Sequence, residues 1–181
     1  MQTTSVYVEH IIIGAEVSAW LFGIAALVDS RTIGFLQSSL SSIPLLVIFI
    51  GICYVLGIVF DRQADLIVKR VTVDARGKYG IPPHLVHGEY LKEEYLVFAL
   101  SRMRIVRSTA LNLLPIGLSL FLLLLIRYHL LALALLCLCG CFLFSVVCFF
   151  TYKSMEKGYY AKLRTAIDEK EREKKTQAEK A

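Results

Sequence analysis

Charged residues are scarce in this chain and are nearly absent from long stretches of it. Residues 1–60 contain only four charged side chains and residues 108–150 only one, although the chain has 20 basic and 15 acidic residues in all. A chain of 181 residues that is 56% hydrophobic and 19% charged is too apolar to be an ordinary soluble domain. Its apolar surplus must therefore face something other than water.

Cysteine is absent from the polar parts of the sequence. All five cysteines lie within apolar runs, at Cys53, Cys137, Cys139, Cys141 and Cys148. Thiols in such runs behave as small apolar side chains with no aqueous oxidant nearby, which excludes a disulfide framework. Cys137, Cys139 and Cys141 are each two residues apart, and on a helix this spacing places neighbours about 200° apart. The three thiols therefore do not converge on one metal ion.

Catalytic and nucleotide-binding motifs are also missing. The sequence has no Gly-x-Ser-x-Gly, no phosphate-binding Walker loop and no Gly-x-Gly-x-x-Gly. His84 and His87, with the nearby Glu89 and Glu93, form too weak a pattern for a zinc site, because zinc helices add further ligands with defined spacing. We therefore expect no enzymatic activity, no cofactor and no metal.

Four long apolar runs are present instead. Each approaches the roughly 20 residues that a helix needs to cross a hydrocarbon core, and they lie at Ile11–Val28, Pro44–Phe60, Ala110–Ile126 and Leu130–Phe150. Because Met1–Val8 has no Lys or Arg, we expect the first run to be a retained span and not a signal peptide. The predicted fold is all-α: a polytopic membrane protein with four transmembrane helices, a helical cytoplasmic hairpin and a C-terminal amphipathic helix.

Basic residues predict the orientation. Nine of the 20 Lys and Arg residues fall in residues 61–107 and nine in residues 151–181. Under the positive-inside rule, both segments and both termini are cytoplasmic. We expect transmembrane helices 1 and 2 with a short outer loop in 1–60, a cytoplasmic hairpin in 61–107, transmembrane helices 3 and 4 in 108–150 and a charged tail in 151–181. Location in a plasma or cytoplasmic membrane is the default.

The two cytoplasmic segments are predicted to be helical. Interleaved charged and apolar residues indicate one helix from about residue 61 to 76, and a second starts at about residue 83 or 88 and enters the third run. In the tail, apolar residues recur every four positions, which predicts a helix that lies on the membrane or packs on the hairpin. These residues are Met155, Tyr159, Leu163 and Ile167. Twelve acidic residues dilute the basic ones in these segments, which disfavours nucleic-acid binding.

Glu16 is the most informative residue, because an ionisable group two turns inside a span is costly unless it faces protein or water. It is either a structural carboxyl that fixes helix packing or part of a carboxylate ring in an oligomeric pore, with a proton relay as a third alternative. Two small-residue ladders on the same helix predict close packing against another helix. They are Gly14/Ser18 and Ala15/Ala19/Gly23.

Two further groups are candidate functional residues. In the third span, Asn112 is a candidate hydrogen-bond partner of Glu16, and Pro115 is expected to kink the helix. Near the start of that span, three arginines at the depth of lipid headgroups are candidate contacts for anionic lipids or a partner. They are Arg102, Arg104 and Arg107. Their ordinary functions, setting topology and snorkelling at a helix end, explain the same residues and are the favoured interpretation.

The sequence thus predicts a non-enzymatic, multi-pass membrane protein that acts through oligomerisation or partner binding by its cytoplasmic helices. The expected partners are the lipid bilayer, including anionic lipids, and a second copy of the chain or another membrane or cytoplasmic protein. An oligomeric ion channel or pore with Glu16 in the conduction path is one alternative. A small transporter is the other, although it usually needs internal repeats and broken helices at the bilayer midplane.

Overall fold

Four long helices make up most of the chain in a computed structural model that describes residues 2–29, 31–34, 38, 42–71, 75–81 and 90–178. Helix α1 is Gln2–Val28, α2 is Ile43–Val71, the short α3 is Ala75–Lys78, α4 is Glu93–Tyr128 and α5 is Leu131–Ala178. The described residues contain no β-strand. The four long helices are each long and apolar enough to cross a membrane. The all-helical class is therefore confirmed, and the helices suggest a membrane-embedded protein.

The helices continue beyond the apolar runs that predict them. Residues 60, 107 and 150, where the sequence changes from apolar to charged or back, all lie inside continuous helices. The second hairpin helix begins later than expected, at Glu93, because residues 90–92 are not helical and Lys92 has an extended backbone with ψ of 135°. Residues 82–89, where that helix was expected to begin, lie outside the described residues.

Helices α1 and α4 occupy the middle of the bundle. Helix α2 packs on α1 and less extensively on α4, whereas α5 packs mainly on α4. Only two residues connect α4 to α5, so these helices are antiparallel neighbours. His129 adopts the left-handed conformation with φ of 54°, and the Leu130 amide donates to the Leu124 carbonyl at 3.1 Å, which ends α4 in a tight turn.

Glycine allows α1 and α2 to approach until their backbones touch. A Cβ atom built on Gly14 would lie 1.6 Å from the carbonyl oxygen of Cys53, and one on Gly57 would lie 1.8 Å from that of His10. One turn away from Gly14, the Ser18 Oγ lies 3.5 Å from the Cys53 Sγ. Small side chains on both helices therefore form the crossing, as is typical of helices packed in lipid.

The two predicted ladders on α1 are used differently. Gly14 and Ser18 face α2, and Gly23 faces α4, where an added Cβ would lie 2.7 Å from the Ser119 Oγ. Ala15 and Ala19 are exposed on the outer surface of α1. The first ladder therefore packs inside one chain, whereas the second is divided between α4 and the exterior.

A second apolar core lies beyond the apolar bundle, in the polar unit that we define as residues 79–81, 90–104 and 151–178. Three of the four apolar residues predicted to share one face of the tail helix, which we call the α5 stripe, are buried in this core: Tyr159 is 3% exposed, Leu163 is fully buried and Ile167 is 5% exposed. Met155 is only partly buried. Ile81 and Ala99 complete it from the opposite side. Of the two predicted positions for the stripe, packing against the preceding helices is the one observed.

Candidate functional site

Glu16 lies in a small polar cluster between α1 and α4. The Thr109 hydroxyl donates to Glu16 Oε1 at 2.5 Å, and the Asn112 amide donates to Glu16 Oε2 at 3.1 Å. Both carboxylate oxygens thus have a donor from α4, and the hydrogen bond with Asn112 that we hypothesised from the sequence is present. The two bonds compensate part of the cost of holding a carboxyl group among apolar helices.

Sequence reasoning missed Thr109. It lies three residues before Asn112, and side chains at positions i and i+3 of a helix share one face. The signal that would have found it is therefore helical spacing: a second hydrogen-bonding side chain one turn from Asn112, on the face already assigned to Glu16. The shorter of the two hydrogen bonds comes from this residue.

Arg107 joins α4 to α2 through two carboxylates. Its guanidinium lies 2.7 Å from Asp61 Oδ1 and 2.5 Å from Asp65 Oδ1, and its side chain is only 11% exposed. Asp61 and Asp65 lie one turn apart on α2 and so present both acids to a single arginine fork. A partly buried arginine that is paired with two carboxylates strongly influences the position at which α4 and α2 contact each other.

The other two arginines have different surroundings. Arg104 lies 3.4 Å from Glu9 Oε2 of α1, whose side chain is 3% exposed. Arg102 is exposed and lies over the Phe98 ring, with its guanidinium carbon 4.2 Å from the ring centroid. We call the pairs of Arg104 and Arg107 the ion-pair belt. Of the three predicted arginine contacts, only Arg102 is outside this belt.

The ion-pair belt also shows which helix ends lie together. It joins the first third of α1, the last third of α2 and the first half of α4, at the end of the bundle that carries the polar unit. Glu16 is seven residues beyond Glu9, or about 10 Å along α1 from the belt. The polar cluster therefore extends from beside the belt, at Thr109, into the apolar part of the bundle, where Glu16 lies.

Pro115 lies inside α4, three residues after Asn112, and α4 continues through it as one helix. The missing amide hydrogen of a proline leaves the carbonyl four residues earlier without its helical partner. The kink expected at Pro115 stays a prediction.

A groove of about 230 Å³ opens between α4 and α5 in the polar unit. Its lining includes the cations Arg102 and Lys162 beside the apolar Phe98, Met103 and Met155. The Lys162 ammonium lies 4.6 Å from the centroid of the Tyr95 ring, which also lines the groove. The groove thus combines two positive charges with aromatic and thioether surfaces.

Within the ranges that the structure describes, no three His, Cys, Asp or Glu side chains are grouped so that they could hold a metal ion. His84 and His87 lie outside those ranges. No protein-family model, no curated protein and no solved structure matches this chain.

Proposed function

We propose that the chain is a non-enzymatic integral membrane protein that crosses the bilayer four times, keeps both termini in the cytoplasm and acts by binding a protein partner. The partner is either a second copy of the chain or a different protein. The arrangement of the helix ends supports the topology, because the ion-pair belt joins the ends that the basic segments predict to be cytoplasmic.

The observation that carries this proposal is the extension of α5. Helix α5 is 48 residues long, and about 20 are enough to cross a membrane, so it continues roughly 40 Å beyond Thr151. The buried face of Tyr159, Leu163 and Ile167 holds the nearer part of this extension against the other segments of the polar unit, residues 79–81 and 90–104. Burial of these apolar side chains thus fixes the direction of α5 outside the apolar bundle.

The distal part of α5 is the segment available to a partner. Every residue from 171 to 177 is exposed, and the segment carries both acidic and basic side chains. A helix that is polar on all sides does not gain stability by packing on its own domain. The end of α5 is held in place by the buried face, is exposed to solvent and is charged. Such a helical end is well suited to binding a partner of complementary charge.

Site-specific photo-crosslinking in intact cells tests this proposal. A photoreactive residue at Glu171 or Lys174 is expected to give one adduct of discrete mass, whereas the same residue at Val47, on the apolar surface of α2, is the control for lipid-facing positions. An adduct of twice the chain mass identifies a homo-oligomer, and another discrete mass identifies a different protein. Equal, diffuse labelling from all three positions would contradict partner binding by this segment.

An oligomeric pore with Glu16 in the conduction path is the alternative. The hydrogen bonds from Thr109 and Asn112 to both Glu16 oxygens support the packing interpretation, since the carboxylate is already engaged within one chain. Conductance of reconstituted vesicles that Glu16→Gln abolishes would favour the pore. Vesicles without conductance for either the native chain or Glu16→Gln would leave Glu16 as a packing residue.

A further inference from the structure

Two cations of the groove between α4 and α5 have no carboxylate partner among the residues that the structure describes. Arg102 and Lys162 are both exposed, and neither forms an ion pair within the part of the chain that the structure describes. Both instead lie over aromatic rings, at 4.2 Å for Arg102 over Phe98 and 4.6 Å for Lys162 over Tyr95. Ring contacts orient a cation without neutralising it. The groove is therefore positively charged.

The groove lies next to the ion-pair belt. Arg102 precedes Arg107 by five residues, about 7.5 Å along α4. The lipid headgroup layer on each side of the hydrocarbon core is roughly 5–8 Å thick. If the belt marks the edge of the hydrocarbon core, Arg102 lies within the headgroup layer.

The lining of the groove favours a lipid over a soluble anion. Met103 and Met155 provide a flexible apolar surface, and Phe98 is 54% exposed although it lies beside them. A free phosphate would leave this surface in water, whereas the glycerol and upper acyl chain of a phospholipid would cover it. Arg102, at this depth, also adds attraction for anionic headgroups.

We propose that this groove binds the headgroup of an acidic phospholipid, with Arg102 and Lys162 contacting the phosphate. The proposal rests on the membrane placement given above as part of the proposed function. It goes beyond that function because the ligand is a lipid and the surface is separate from the exposed end of α5.

Native mass spectrometry of the full chain released from detergent micelles tests the site, with phosphatidylglycerol as the probe and phosphatidylcholine as the zwitterionic comparison. We expect one phosphatidylglycerol to bind preferentially. Removing both cations in Arg102→Ala/Lys162→Ala should weaken its affinity roughly thirtyfold, given the attraction expected for two cations that contact one phosphate near the membrane surface. Both side chains are exposed, so the double variant is expected to fold.

The matched control is Arg62→Ala/Lys157→Ala, which removes two exposed cations outside the groove. We expect this variant to bind phosphatidylglycerol within about threefold of the native chain, a change of less than about 1 kcal/mol. Equal losses in the two double variants would overturn the proposal, because they would indicate general surface charge. Equal binding of phosphatidylcholine, or of glycerol phosphate without acyl chains, would overturn it as well.

Carbonate extraction of cell membranes separates this proposal from the placement on which it depends. Release of the chain by carbonate would contradict the membrane placement itself. A chain that stays in the membrane but shows no preference for phosphatidylglycerol would retain the placement and overturn only the lipid site.

Discussion

Replacing Gly57 with alanine tests the close crossing of α1 and α2. The added Cβ would lie 1.8 Å from the His10 carbonyl oxygen, whereas ordinary contacts of this kind begin at 3.4 Å. The obstacle is backbone, so no side-chain rotation relieves it, and the helices must separate by roughly 1.6 Å. Overpacking of this kind costs about 1–3 kcal/mol, and the loss of neighbouring contacts places the expected cost of Gly57→Ala at the upper end.

Gly51 on the same helix is the control. A Cβ there meets nothing within 4 Å. Replacing glycine by alanine inside a helix otherwise stabilises it by roughly 0.5–1 kcal/mol. The two substitutions are chemically identical, so their effects should have opposite signs. Gly14→Ala, whose Cβ would lie 1.6 Å from the Cys53 carbonyl oxygen, should behave like Gly57→Ala.

Reversible unfolding in mixed micelles, followed by circular dichroism as the fraction of denaturing detergent rises, measures both effects. We expect the midpoint to fall for Gly57→Ala and to stay level or rise for Gly51→Ala. Equal shifts for the two variants would refute the reasoning, because only Gly57 lies at the backbone contact. An unchanged midpoint for Gly57→Ala would refute the crossing itself.

Three more substitutions test the polar contacts and the second core. Arg107→Met retains an apolar stem but leaves two carboxylates without their cation, so the free energy of unfolding in micelles should fall by roughly 3 kcal/mol. Asn112→Leu removes one interhelical hydrogen bond and should lower it by about 1 kcal/mol; unchanged stability and assembly would contradict a structural role for this pair. Leu163→Ala removes a fully buried side chain and should destabilise the polar unit by about 3 kcal/mol, detected as faster proteolysis of α5. Leu66→Ala, at a position that is 50% exposed, should leave that cleavage rate unchanged.

The sequence alone determined the number and kind of the long helices. Runs such as Ala110–Ile126 predict a helix because hydrophobicity and length are local properties of the chain. Depth is also predictable, because a helix rises about 1.5 Å per residue. Residues 16 and 112 lie seven and five residues inside the charged residues Glu9 and Arg107, which is why their hydrogen bond could be hypothesised.

Only the tertiary structure decided which side chains meet across the helices. Helical spacing defines the faces of α1, but which face meets α2 depends on the relative rotation of two rigid helices. The sequence therefore did not distinguish Gly14, which packs on α2, from Ala15, which is exposed. The partners of Arg107 were open for the same reason, since its acids are more than 40 residues away in the chain.

The position of the α5 stripe was also decided by the tertiary structure and not by the sequence alone. Residues 155–167 have a pattern that suits either a membrane surface or another helix, because both surroundings remove apolar side chains from water. The choice depended on the turn at His129, which brings α5 back along α4 and places Leu163 opposite Ala99 and Ile81. Burial of that stripe results from contacts between distant segments, and local periodicity does not encode which segments will meet.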